Sequence, residues 1–254
     1  MKPSHGIQGS PASADLRARL ALAREPKPRD AGGPPLRRLL AETQVVIEPV
    51  RRLARNLDIQ TADHPRKVML LPGFATHPIR MRYMARQLEK AGHKVKRWGL
   101  GFNFGPTVEN FVILERRLDD LYQRYNREPV YLVGWSLGGL FARELAKRHP
   151  EKVARVVTMG SPFSGNPRAN NAWRIYQFVT GHSVDYPPIA GNTGAKPPVF
   201  TTALWSPRDG IISPRSACGK PGERDRAVAL RCTHLGFAYS EESIRAVLRE
   251  LEEE

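Results

Sequence analysis

After Pro65, stretches with the hydrophobic pattern of a strand alternate with stretches that have the pattern of a helix. Short apolar runs, about four to eight residues long, are typical of buried strands. Between them lie longer stretches in which apolar residues recur at the spacing of one helix face. The short runs predict strands over residues 67–71, 93–100, 130–133, 153–159, 199–204 and 227–232.

The longer stretches predict helices between these strands. They cover residues 79–90, about 111–125, 138–148 and 241–251. Strands that alternate with helices in this way form a mostly parallel sheet with helices on both faces. We therefore expect an α/β domain over residues 65–254, built on a mostly parallel central sheet.

The periodicity fails between Pro162 and Pro198. This stretch carries several asparagines and prolines together with four aromatic residues between positions 173 and 186. A structureless segment of this length is rare inside a compact domain unless it is functional. We expect a partly helical insertion at about residues 164–197.

Residues 1–64 are predicted to form a partly helical N-terminal extension. Residues 1–35 are rich in Pro, Gly, Ala and Arg, which predicts a loosely held arm with a short helical patch over 16–24. Over 36–57 apolar residues recur at helical spacing, and Pro49 should kink or divide this helix. We expect the helix to dock on the domain by its apolar stripe. A helix that lies on a membrane surface or covers the functional site is the alternative.

Composition narrows the class of protein. No apolar run in the 254 residues approaches the roughly 20 needed to span a bilayer, which excludes an integral membrane protein. Two cysteines are too few for a disulfide-stapled scaffold or a four-cysteine zinc site, and no cluster has metal-ligand spacing. We therefore expect no metal. The first residues lack the apolar core of a secretory signal, so we expect a cytoplasmic protein.

The basic charge does not identify a partner. The formal net charge is +15, but the excess is spread along the chain rather than gathered in one block. Proteins that bind phosphate backbones usually concentrate Lys and Arg on one face. Nucleic acid is therefore not an expected partner, while peripheral contact with an anionic membrane stays open.

A glycine-flanked serine follows the predicted strand at 130–133. Gly134-Trp135-Ser136-Leu137-Gly138 has the pattern G-x-S-x-G between a strand and a helix. The flanking glycines allow a tight turn that raises the serine hydroxyl, and the helix N-terminus favours negative charge nearby. A phosphate-binding turn is disfavoured, because no Lys-Ser or Lys-Thr follows the glycines. Ser136 is thus a candidate nucleophile.

At these residues the chain resembles the α/β-hydrolase family, more closely its lipase-like and esterase-like members. The resemblance implies an α/β-hydrolase fold in which the insertion is a lid, with the acid and then the histidine following the serine. Asp209, in D-G-I-I after the strand at 199–204, matches the acid position, with Asp185 and Asp225 as alternatives. His234, in C-T-H-L-G after the last strand, matches the catalytic histidine.

The resemblance also implies an oxyanion hole made of two backbone N–H groups. One belongs to Leu137, the residue after the serine. The other belongs to Phe74, in the loop L-P-G-F-A-T-H-P after the first strand. If Cys218 and Cys232 were joined, they would clamp the loop between the acid and the histidine, as in some secreted bacterial lipases, whereas a reducing cytoplasm favours free thiols.

The chemistry implied is ester hydrolysis through a Ser-His-Asp triad and an acyl-enzyme, with no cofactor. The expected substrate is a small ester with an apolar acyl group. An acyltransferase on the same fold and a non-catalytic basic binding protein are the alternatives.

Overall fold

One six-stranded parallel sheet forms the centre of the computed structural model, which describes residues 11–43, 57–189 and 191–253. The strand order is β2-β1-β3-β4-β5-β6, and every neighbouring pair is parallel. The predicted α/β fold is therefore confirmed. The strands are β1 (Lys67–Leu71), β2 (Lys94–Arg97), β3 (Val130–Trp135), β4 (Val153–Met159), β5 (Phe200–Trp205) and β6 (Arg226–Ala229).

Helices connect the strands, as the periodicity predicted. Thr107 and Ser240 cap two of these helices, each through a side-chain oxygen that accepts a hydrogen bond from a backbone N–H three residues on. The α-helices are α1 (Pro11–Ala23), α2 (Leu39–Glu42), α3 (Arg82–Lys90), α4 (Val108–Arg124), α5 (Leu137–Arg148), α6 (Trp173–Thr180), α7 (Pro214–Cys218) and α8 (Glu241–Glu252). No helix among the described residues has the length and apolar character to cross a membrane.

Both faces of the sheet are buried. Along β1, Val68 and Leu70 pack into the core under α3 and α8, and Met69 and Leu71 pack into the core under α4 and α5. Alternate residues of a strand point to opposite faces, so a strand covered on both sides is apolar throughout. This explains the continuous apolar run that marks β1 in the sequence.

The two edge strands are shorter than predicted. Strand β2 ends at Arg97 and β6 ends at Ala229, several residues before the ends of the predicted ranges. Each edge strand has a single neighbour, so its ladder stops where the chain turns away from that neighbour. The residues after Ala229 form the loop that carries His234.

The strand order reverses between β1 and β3. Their connections leave in opposite directions across the sheet, which opens a crevice at the carboxyl ends of these two strands. The loop with Phe74 follows β1, and Ser136 follows β3 directly. The topology therefore brings the candidate nucleophile and the candidate oxyanion loop to the same crevice.

The N-terminal arm is not loosely held where the structure describes it. Helix α1 packs against α6, and Arg19 Nη1 donates a 2.7 Å hydrogen bond to the carbonyl oxygen of Val179. Gln177 Nε2 donates to the carbonyl oxygen of Leu22 at 2.5 Å. Side-chain donors on each partner thus bind backbone carbonyls of the other, a long-range pairing that composition does not reveal.

The predicted helix over 36–57 also differs from expectation. A 3₁₀ turn at Leu36–Arg38 continues into the single turn of α2, and residues 44–56, which include Pro49, lie outside the described residues. The predicted apolar stripe is only partly docked among the described residues: Leu36 and Leu40 are 71% and 73% exposed, whereas Leu57 at its other end is buried in the core. The side chain that residues 36–43 bury is Glu42, at 6% exposure.

Candidate active site

Ser136 lies on a strained turn between β3 and α5. Its φ of 55° and ψ of −122° place a non-glycine residue in a sparsely populated backbone region, at a cost of about 1–3 kcal/mol. A Cβ atom at Gly134 would overlap the carbonyl of Gly138, and one at Gly138 would overlap the carbonyl of Leu71. The packing therefore explains why glycines flank the serine at this spacing.

Asp209 and His234 meet in the loops after β5 and β6. His234 Nδ1 lies 2.8 Å from Asp209 Oδ2, and both side chains are almost completely buried. The other carboxylate oxygen, Oδ1, accepts hydrogen bonds from the backbone N–H groups of Ile211 and Ile212, at 2.8 and 2.7 Å. The carboxylate is thus fixed against its own loop and against the imidazole.

The two rival acids are engaged elsewhere. Asp185 forms an ion pair with Arg168, at 2.6 Å. Asp225 binds Lys196 at 2.9 Å and accepts a hydrogen bond from the N–H of Thr201 at 2.8 Å. Neither carboxylate contacts His234, so the geometry favours Asp209 as the partner of the imidazole.

The surroundings raise the pKa of His234. Burial of the ring lowers the pKa, but the charge of Asp209, its hydrogen bond to Nδ1 and the charge of Glu42 together outweigh burial. The pKa of His234 therefore lies above the usual range of histidine. A hydrogen bond at Nδ1 also leaves Nε2 as the nitrogen that can accept a proton from a neighbouring hydroxyl.

The link between Ser136 and His234 is not a formed hydrogen bond. Within the described residues, Asp209 is the side-chain partner of the imidazole, and Ser136 Oγ donates to no protein acceptor. The indole of Trp135 lies beside the imidazole, with ring centroids 5.9 Å apart. Catalytic hydrogen bonds are often long in enzymes without substrate, so this geometry is compatible with a base that engages the serine on binding.

The two predicted oxyanion donors lie at the same cavity as Ser136. Phe74 and Leu137 both line it. In the part of the chain that the structure describes, the backbone N–H groups of both residues lack a protein acceptor. The loop passes so close that a Cβ on Gly73 would lie 3.2 Å from the Ser136 Cβ. Two unpaired donors beside a serine can stabilise an oxyanion that forms there.

Asn103 holds this loop in place, a role that the sequence motifs did not reveal. Its side chain is fully buried, and Nδ2 donates to the carbonyl oxygen of Pro72 at 2.7 Å. Its backbone carbonyl accepts the N–H of Ala75, also at 2.7 Å. A G-F-N-F-G stretch offers no local sign of this contact, because the residues are about thirty positions apart.

The cavity above Ser136 is mostly apolar, with a volume of about 310 Å³. The proposed lid segment forms one wall through Trp173 and Tyr176. Helix α5 forms another, where the buried Arg143 donates hydrogen bonds to the carbonyl oxygens of Thr193, Gly194, Ala195 and Glu223. Burial lowers the pKa of Arg143 to about 10. This guanidinium therefore joins helix α5 to the loop at residues 193–195, of which Thr193 also lines the cavity.

Glu42 is a second residue that the sequence analysis missed. Its Oε1 accepts hydrogen bonds from the N–H groups of Gly210 and His234, at 3.0 and 2.8 Å, and its Oε2 accepts from Leu235 at 2.9 Å. One carboxylate thus joins the loop of Asp209 to the loop of His234. Cys218 and Cys232 are both free thiols, so they do not clamp these loops through a disulfide.

Comparison with known proteins agrees with this architecture. Residues 68–185 match the family described as alpha/beta hydrolase fold. The chain is 41% identical over 90 residues to the pimeloyl-[acyl-carrier protein] methyl ester esterase of Aromatoleum aromaticum. That match covers 32% of this chain and 32% of the relative, so the chain spans about a third of the length of this curated relative.

Solved structures give the same fold. A lipase of Bacillus licheniformis in its mature form superimposes with a TM-score of 0.55 at 14% identity, over 76% of this chain and 96% of that one. The monoacylglycerol lipase of Paleococcus ferrophilus gives a TM-score of 0.52 at 17% identity, also over 76% and 96%. The predicted α/β-hydrolase fold is confirmed.

Proposed function

We propose that this chain is a serine hydrolase of the α/β-hydrolase superfamily that cleaves carboxylic esters. Ser136 would be the nucleophile, His234 the general base and Asp209 the acid. The observation that carries the proposal is the 2.8 Å hydrogen bond between His234 Nδ1 and Asp209 Oδ2, formed at the same end of the sheet as the strained turn of Ser136.

The proposed reaction has two halves. His234 Nε2 takes the proton of Ser136 Oγ as the oxygen attacks the acyl carbon, and the imidazolium then gives that proton to the departing alcohol. Water, activated by the same nitrogen, hydrolyses the acyl-enzyme and releases the acid. Asp209 keeps the proton on Nδ1 and stabilises the imidazolium in both halves.

The N–H groups of Phe74 and Leu137 would bind the oxyanion in both halves. Each such donor is typically worth about 2.7–4 kcal/mol of transition-state stabilisation. The donors suit this role because they have no protein acceptor among the described residues and lie at the cavity. A donor already paired within the protein would have to break that bond first.

The cavity favours a small ester with an apolar acyl group. Its volume of about 310 Å³ is at the lower end of the roughly 300–1,000 Å³ range of ligand pockets. We propose that residues 164–197 act as its lid and that residues 1–64 are an extension of a hydrolase domain at 65–254. The aromatic wall at Trp173 and Tyr176 supports an apolar ligand. Binding such a ligand removes apolar surface of both the ligand and the rings from water, which is favourable.

Two alternatives to this function remain to be distinguished by experiment. An acyltransferase would form the same acyl-enzyme but pass the acyl group to an alcohol other than water. A non-catalytic basic binding protein would need neither a free serine nor a paired acid and base. The buried Asp209–His234 pair argues against the second, because burying two ionisable groups is costly without a function for them.

The decisive experiment combines an active-site probe with a substrate panel. We expect a fluorophosphonate to label wild-type protein on Ser136. We also expect p-nitrophenyl and methyl esters of short and medium chain length to be hydrolysed, with longer chains disfavoured. Addition of a second alcohol would divert product to a new ester if the chain is a transferase.

Ser136→Ala should abolish labelling and hydrolysis. Ser161→Ala is the matched control, because Ser161 is also a buried serine but, unlike Ser136, does not line the cavity. Equal slow hydrolysis by wild type and Ser136→Ala, with no labelling of either, would show that the proposed function is wrong.

A further inference from the structure

The buried carboxylate of Glu42 bridges the two loops that carry the proposed acid and base. It accepts three hydrogen bonds, two on Oε1 from the N–H groups of Gly210 and His234 and one on Oε2 from Leu235. Gly210 follows Asp209 directly, and the second N–H belongs to His234 itself. No other carboxylate among the described residues accepts backbone hydrogen bonds from both loops.

We propose that Glu42, supplied by the N-terminal extension, is the positioning residue that fixes the Asp209 and His234 loops relative to each other. The inference rests on the proposed function, because positioning matters only if this pair does the chemistry. It also gives the extension a role, because Glu42 then completes the active site of the domain that follows it.

The chemistry of the contact suits this role. A carboxylate bound by N–H groups forms stronger hydrogen bonds than a neutral acceptor does, and burial strengthens them further. The two loops follow neighbouring parallel strands, so their tips are held together only by what lies beyond the ends of the strands. Glu42 supplies one such link, beside the contact between Asp209 and His234 and the 2.6 Å hydrogen bond from Ser206 Oγ to the carbonyl oxygen of Cys232.

The extension approaches the acid loop closely at a second point. A Cβ atom on Gly210 would overlap the backbone carbonyl of Arg38, one turn before Glu42. Glycine at position 210 therefore leaves room for the extension to pass directly over the acid loop. Its φ is outside the positive range, so the constraint is the lack of space and not the backbone conformation.

Glu42 does not line the substrate cavity. Its loss should therefore lower kcat and leave KM nearly unchanged, because substrate contacts persist while the imidazole and the serine lose their alignment. For Glu42→Ala we expect kcat to fall about 10²-fold, the effect of misplacing a catalytic group by about 1 Å. The rate of fluorophosphonate labelling should fall in parallel, because the same base activates Ser136.

Glu42→Gln makes a graded test. A carboxamide oxygen can still accept the two bonds now made by Oε1, but its NH₂ group cannot accept from Leu235. We expect a smaller loss of kcat than for alanine. The acid limb of the kcat/KM profile should move to lower pH, because Glu42 is one of the two carboxylates, with Asp209, that raise the pKa of His234.

Gly210→Ala tests the same contact from the other side. It keeps the carboxylate and displaces the extension, so kcat should fall again with KM nearly unchanged. Asp30→Asn is the matched control: Asp30 is a carboxylate of the same extension whose contact is an exposed hydrogen bond with Asn166. It should leave kcat, KM and labelling at wild-type values.

The outcomes separate this inference from the proposed function. If wild type is neither labelled nor active, the proposed function has failed and Glu42 has no catalytic pair to position. If wild type is active and folded Glu42→Ala keeps wild-type kcat and labelling, the inference is overturned. Should Glu42→Ala not fold by circular dichroism, Glu42→Gln and Gly210→Ala decide. Wild-type kcat in folded forms of both, with an unmoved acid limb in Glu42→Gln, would overturn the inference.

Discussion

Trp135 Nε1 donates a 3.0 Å hydrogen bond to the backbone carbonyl oxygen of His234. The residue before the proposed nucleophile thus holds the loop of the proposed base, across 99 positions of sequence. The indole also lies beside the imidazole ring. Strand β3 therefore presents the serine and supports its base through adjacent residues.

Replacing this indole should weaken both the fold and the reaction. Trp135→Phe keeps a ring but removes this donor from the carbonyl of His234, which still accepts from the N–H of Phe237. The loss of one hydrogen bond should lower the free energy of unfolding by about 0.5–1.5 kcal/mol. The histidine loop should relax, so kcat should fall. Thermal unfolding and steady-state kinetics measure the two effects.

Trp98→Phe is the matched control. Trp98 is buried to a similar degree, but its Nε1 has no hydrogen-bond partner in the described part of the chain. This substitution should cost less stability and leave kcat unchanged. Equal losses in the two variants would show that ring volume, and not the hydrogen bond to His234, determines the effect.

Asp209→Asn should lower kcat by about 10⁴-fold if Asp209 orients the imidazole. The amide can donate a proton to Nδ1 and so favours the wrong tautomer of His234. Asp225→Asn is the control, because Asp225 pairs with Lys196 near the start of β5 and does not contact the histidine. Steady-state kinetics on both proteins test the assignment, and a large kcat loss confined to Asp225→Asn would reverse it.

The pH dependence follows from the raised pKa of His234. The general base must be neutral, so kcat/KM should fall as the pH drops through a value above about 6.5, the ordinary pKa of histidine. The contribution of this pair to folding stability changes with pH in the opposite sense. The stabilisation from the protonated pair is fully present below the unfolded-state pKa and is lost as the pH rises through the folded-state pKa.

A pH series of initial rates and thermal unfolding measures both trends. Asp209→Asn should move the acid limb of kcat/KM to lower pH, because the carboxylate charge no longer raises the pKa of His234. An acid limb in wild type well below the histidine range would contradict the assignment of His234 as the base.

Gly138→Ala should disrupt the turn of Ser136. Its Cβ would overlap the backbone carbonyl of Leu71, which cannot move without displacing the strand that precedes the oxyanion loop. We expect a loss of at least about 1–3 kcal/mol of stability, the usual cost of overpacking, and loss of labelling. Gly101→Ala, at a glycine with open space around it, should change neither property.

The two thiols can be counted directly. Cys218 and Cys232 are free, and burial strongly raises the pKa of the Cys232 thiol. Titration of denatured, non-reduced protein should therefore find two thiols per chain, whereas folded protein should react more slowly at Cys232. Recovery of no thiols from the denatured chain would show a disulfide between these positions.

The sequence predicted the scaffold because its signals are local. The apolar run of β1 indicates a strand buried on both faces, and the glycines around Ser136 indicate a turn where a side chain would collide with backbone. Asp209 and His234 could be selected because each follows a strand in a motif that resembles the α/β-hydrolase family, in that family's order. The strands and the turn need only a window of a few residues, whereas the acid and the histidine also needed the resemblance.

The extension shows what local patterns leave undecided. Apolar spacing predicted that Leu36 and Leu40 would be buried, yet both are exposed and the acidic Glu42 is buried. Its three hydrogen-bond donors lie 168 to 193 positions away, and backbone N–H groups are present at every residue except proline, so they leave no mark in the sequence.

The amino-acid sequence by itself determined the parallel α/β scaffold, the turn at Ser136 and the order of the candidate acid and histidine. Only the tertiary structure decided that Asp209 and not Asp225 meets His234, that the arm binds the proposed lid, and that Glu42 joins the two loops. Periodicity and turn chemistry act between near neighbours in the chain. The pairing of a buried charge depends on which distant loops the fold brings within hydrogen-bonding distance.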